Sequence, residues 1–129
     1  MTIKSYHIKS YLVTFHSPSI QNWFGVDAET VCFIECFEDE DGHWGDGDYM
    51  CRIFFLTEGS DVPPNFHQPQ SSAGGLFLRA KELGPVLDVL RNEKPVSVYL
   101  NSDHPEQIKL YTGLEPTGEE ERSAMFLRK

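Results

Sequence analysis

Basic residues are scarce in this chain, and no long apolar run occurs anywhere in it. Eleven Lys and Arg stand against 20 Asp and Glu among 129 residues, for a net charge of -9. Nucleic-acid backbones are bound by clustered Lys and Arg, so this balance argues against general nucleic-acid affinity. No stretch approaches the roughly 20 apolar residues of a membrane-spanning helix. The first fifteen residues alternate in polarity and carry Lys4 and Lys9. They lack the apolar centre of an export signal, and the expectation is a soluble, cytoplasmic protein.

Cysteine is equally sparse. Cys32, Cys36 and Cys51 form no disulfide framework. Four residues of extended chain span about 13 Å, too far for Cys32 and Cys36 to share one ion. Buried, reduced thiols acting as small hydrophobes are expected, with a Cys36–Cys51 bridge open only under oxidation. There is no G-x-S-x-G, Walker A, dinucleotide or H-E-x-x-H signature. The histidines at positions 7, 16, 43, 67 and 104 show no ligand spacing. No catalytic residue and no cofactor is assigned, and a non-enzymatic protein is favoured.

What the chain does have is a concentrated centre. Two apolar runs, ETVCFIECFE (29–38) and MCRIFFLTE (50–58), flank the acidic insert DEDGHWGDGDY. Both sides of each run are mostly apolar, as in strands covered on two faces. β-branched and aromatic residues around a Gly-rich break predict a hairpin rather than helices. Pairing Glu38 with Tyr49 sets Ile34 opposite Ile53 and Cys36 opposite Cys51. A slip of one residue would turn every side chain to the other face.

The end of the first run and the insert together collect Glu38, Asp39, Glu40, Asp41, Asp46 and Asp48 with no Lys or Arg among them. Without these six acids the net charge would be -3. One reading is a solvated tip that keeps two greasy strands apart from other chains. Another is a divalent-cation site at Asp39, Asp41, Asp46 and Asp48, because carboxylates on a Gly-rich turn suit a hard ion. The spacing of an EF-hand is absent.

Alternation over residues 5–16 predicts one long first strand. SPSIQNWFGVDAE (17–29) reads as a loop holding Trp23 and Phe24, and residues 59–75, with three Pro and three Gly, as a linker-like loop. GLFLR (75–79) is a short strand. A helix is predicted over residues 80–95, with Pro85 in its first turn and Val86, Leu87, Val89 and Leu90 as its apolar stripe. PVSVYLN and QIKLYTG form a second hairpin that displays Tyr99 and Tyr111 on one face. A last strand is expected at Ala124–Arg128, beyond a second acidic group at Glu115, Glu119, Glu120 and Glu121.

The length and the 40% hydrophobic content suit one β-rich domain over 1–129. The order β-β-β-α-β-β is that of an OB-like Greek-key barrel. An α+β antiparallel sheet under a single helix is the alternative. Three functions follow. The first is a protein-interaction module using the acidic tip and the aromatics Trp23, Phe24, Trp44, Tyr99 and Tyr111, with a basic protein as the natural complement. The second is an OB-type single-strand binder using Tyr11, Tyr99 and Tyr111 beside Lys9 and Lys109, which the net charge disfavours. The third is weak cation binding. Exposed edge strands leave self-association open.

Overall fold

A computed structural model describes residues 2–113. The strand expected at Ala124–Arg128 and the acids from Glu115 to Glu121 lie outside the described residues. Among the described residues eight strands form two sheets, neither closed into a barrel, accompanied by one α-helix. The mainly β class with one helix holds, but the OB-like expectation is not confirmed. Six strands precede the helix instead of three. The single antiparallel sheet of the alternative is also replaced, by two sheets of which one is mixed.

The central hairpin organises the larger sheet. β3 (Val26–Phe37) and β4 (Met50–Leu56) pair antiparallel with Ile34 opposite Ile53 and Cys36 opposite Cys51, in the expected register. β4 is buried on both faces except at Arg52. β3 buries Cys32, Ile34 and Cys36, while Phe33 and Glu35 on its other face are half-buried. β6 (Ala73–Arg79) then pairs with β4 in parallel, and β5 (Phe66–Gln68) closes the far side of β6. The linker-like stretch thus contains a strand and serves as the crossover that a parallel pair requires.

The expected first strand is two strands in different sheets. β1 (Ile3–His7) pairs with β7 (Val96–Asn101). Among the described residues β2 (Ser10–Trp23) pairs only with β3, at the edge of the five-stranded sheet. The chain changes sheets between them, where the Ile8 amide donates to the Val96 carbonyl and the Lys9 amide to the Phe37 carbonyl. β2 also overruns the predicted loop 17–29. A register shift between Phe15 and Ser19 absorbs Pro18, because a proline has no N–H to give to a ladder. Strand pairing then resumes to a tight turn at Phe24 and Gly25, both at positive φ.

α1 (Leu83–Asn92) carries Pro85 in its first turn and follows a short 3-10 turn at Ala80–Glu82. Leu83, Val86, Leu87 and Leu90 of α1 face one side of the five-stranded sheet, beside β1, β7 and β8 (Lys109–Thr112). Ile34, Ile53, Phe55, Val98 and Leu100 are fully buried between these layers. Gly74 of β6 lies so close that a Cβ there would strike the Leu100 side chain. Among the described residues the other side of the large sheet has no covering layer of secondary structure. It carries an aromatic carpet of Trp23, Phe33, Phe54, Phe66 and Phe77, with Phe54 and Phe77 stacked at 4.9 Å.

His67 of β5 is buried, and its Nε2 lies 3.0 Å from the Tyr49 hydroxyl. Burial lowers its pKa below 6.5. The unfolded chain therefore binds the proton more tightly than the folded one. Well above pH 6.5 neither state is protonated; as pH falls through 6.5 the unfolded state gains the proton first, so stability decreases as pH decreases. Urea unfolding from about pH 7.5 down to about pH 5.5 should record that loss, with a shallower slope in His67→Gln. An unchanged slope in the variant would show that other groups carry it.

Candidate functional site

The acidic tip is more tied down than its composition implies. Glu38 is not free: its carboxylate takes Lys4 Nζ at 3.0 Å and the Tyr49 amide at 2.9 Å. One of the six acids is thus an anchor at the base of the tip, paired by a lysine that arrives from β1. The Ser10 hydroxyl donates to the Asp39 carbonyl at 2.6 Å, and the Asp41 amide to the Asp39 carboxylate at 2.6 Å. Trp44 is 45% exposed, and its indole N–H reaches the Ser71 and Ser72 carbonyls at 3.2 and 3.1 Å.

Of the cation candidates, Asp39 and Asp48 converge, and they do so with His43, all three donor atoms lying within 4.8 Å of one another. His43 Nδ1 is 3.8 Å from Asp48, and Nε2 is 4.0 Å from Asp46. Asp41 is outside the cluster. Two carboxylates and an imidazole on an exposed turn could hold a divalent ion only with water completing its shell. His43 has no local signature as a member, because only the folded turn brings it to Asp39 and Asp48.

The five aromatics do not share a surface. Trp23 ends β2 and packs on Phe54 at 4.6 Å and on Phe77 at 5.6 Å. Its indole N–H is buried with no hydrogen-bond partner among the described residues. Phe24, beside it, is 57% exposed. Trp44 lies at the opposite end of β3, and Tyr99 and Tyr111 lie in the smaller sheet. Lys109 Nζ sits over both tyrosine rings, 5.6 and 6.0 Å from their centroids. Tyr111 bonds Ser5 at 2.6 Å, and Tyr99 takes the Asn101 amide at 3.1 Å. Tyr11 packs against the main core instead, so no three-tyrosine platform forms.

The three thiols are held in their protonated form by burial. Cys32, Cys36 and Cys51 are free and buried. Burial raises all three, with Cys51 pushed up to about 12, so the nucleophilic thiolate is suppressed.

The feature that the sequence concealed is the edge of β2. Among the described residues its fourteen positions have a strand on one side only, which leaves a row of backbone N–H and C=O groups without a partner strand there. Val13 still packs against the core. Beyond it Phe15 and Ile20 overhang the covering layer, 68% and 67% exposed, and Leu12 is 54% exposed on the other face. No protein family, curated protein or solved structure matches the chain.

Proposed function

We propose that this protein is a non-enzymatic protein-binding module that docks an extended partner segment along the free edge of β2. The observation that carries this reading is the long edge, unpaired among the described residues, with Phe15 and Ile20 overhanging the core. An added strand gains main-chain hydrogen bonds, and side chains on alternate positions supply selectivity. Pro18 and the register shift beside it divide the edge into two pairing segments, Ser10–Phe15 and Ser19–Trp23. The acidic tip steers a basic partner and speeds encounter.

Selection from a displayed library of random peptides against the intact chain tests this role. Enriched peptides should lose binding to a chain carrying Phe15→Gln and Ile20→Gln. They should keep most of it when Asp41 and Asp46 become asparagine, with slower association. Peptides that ignore the edge substitutions and depend on the tip would overturn the reading.

A second reading, weak divalent-cation binding, is supported by the meeting of Asp39, His43 and Asp48. A ligand selective for the folded state raises Tm. Millimolar manganese or zinc should therefore stabilise the chain but not its His43→Ala variant, and no shift would remove this reading.

A further inference from the structure

The charges around β2 specify its partner. The strand, SYLVTFHSPSIQNW, holds no Asp, Glu, Lys or Arg, in a chain of net charge -9. Acids gather at both of its ends, with Lys9 and Lys94 also close to the first. At the first end, the Ser10 hydroxyl grips the Asp39 carbonyl, which sets the tip carboxylates beside the start of the strand. At the second, a notch of about 400 Å³ opens beside Ile20, lined by Asp27, Glu29, Glu58 and Asp61.

None of these four carboxylates forms an ion pair with Lys or Arg among the described residues. Asp27 takes the Asn22 amide and Glu29 the Thr57 hydroxyl, neutral donors that leave both charges uncompensated. Arg79 donates to the Thr57 and Ser60 carbonyls at 3.1 and 2.7 Å.

We infer that the β2 edge takes an extended segment with alternating apolar side chains in its middle and Lys or Arg at both ends. This inference rests on β2 being the docking edge. Backbone pairing is indifferent to sequence, Phe15 and Ile20 meet the apolar middle, and the two acidic ends select basic termini by charge. A second copy of the chain fits badly. Antiparallel β2–β2 pairing would bring the tip of each molecule to the acidic notch of the other, and parallel pairing would bring tip to tip. Like charges set opposite one another disfavour both.

Three synthetic peptides of about twelve residues with one Ile/Thr alternating middle and Lys, Gln or Glu at both ends test this. Binding is read by fluorescence anisotropy, and hydrogen exchange over residues 10–23 reports where the peptide sits. The Lys peptide should bind at least about tenfold more tightly than the Glu peptide at low salt, the gap closing near 0.5 M salt as charges are screened. Asp27→Asn with Glu58→Gln and Asp61→Asn should shrink the gap while the Gln peptide binds as before.

Equal low-salt affinity of all three, with β2 protected, would overturn the charge inference and leave the docking edge standing. No protection of β2 by any of them would overturn the docking role itself. Sedimentation showing a dimer abolished by Ile20→Gln would make a second copy the occupant and overturn the inference.

Discussion

Phe55→Ala should cost the fold about 3–5 kcal/mol, the range for deleting a large aromatic from a packed interior. Phe55 is fully buried in β4, opposite Cys32 of β3 and beside Leu78 of β6. It shares its layer with Ile34, Ile53 and Leu76 and is packed in one cluster with Val98 and Leu100 of the smaller sheet. Strands are hydrogen-bonded on both sides of β4, so the backbone cannot close around the void and the cavity cost is largely retained. A domain of this size has about 5–15 kcal/mol in total, so the variant should sit near the margin of folding. Urea denaturation measures the difference, with Val62→Ala at an exposed position (51%) as a control expected within about 0.5 kcal/mol of the parent. A loss below about 1 kcal/mol at Phe55 would mean that the two layers do not close over β4.

Phe15→Gln with Ile20→Gln should behave in the opposite way, leaving stability almost unchanged and weakening peptide binding about a hundredfold. Both side chains are about two-thirds exposed in the free chain, so their removal opens no cavity. An apolar anchor covered by a partner contributes about 1.5 kcal/mol or more, roughly tenfold in affinity, and two such losses multiply when the sites are not coupled. They lie on either side of the register shift in β2, which separates the stretches of partner that each would meet. Titration with the Lys-ended peptide and a melting curve on the same sample check both halves. Full affinity in the variant would locate the docking surface elsewhere; a collapse in Tm would show that the overhang is part of the core.

The central hairpin was legible down to its register, because both faces of ETVCFIECFE and MCRIFFLTE are apolar and a slip would misplace Ile34 and Ile53 together. The helix announced itself through Pro85 and its apolar stripe. The second hairpin did so through clean alternation, and Val98 does face Leu110. The split between β1 and β2 left no mark, since the alternation runs on through Ile8 and Lys9 while the chain changes sheets. GLFLR reads as a strand, but nothing in five residues says that its neighbour is β4 and that the pair is parallel. The second half of β2 was hidden for a stronger reason. It is exposed on both faces, so it lacks the period that marks a strand, and Pro18 and Asn22 resemble loop residues. The Lys4–Glu38 pair and the meeting of His43 with Asp39 and Asp48 depend on the folded path and have no local signature.

Hydrogen exchange of the amides from Ser10 to Trp23, with and without the Lys-ended peptide, tests most directly whether the outer edge of β2 is open and is where a partner strand adds. In the free chain the outward-pointing β2 amides should exchange quickly while those of β3 and β4 are slow, and bound peptide should slow the β2 amides selectively. β2 amides already protected in the free monomer, or unchanged when peptide binds, would contradict the account.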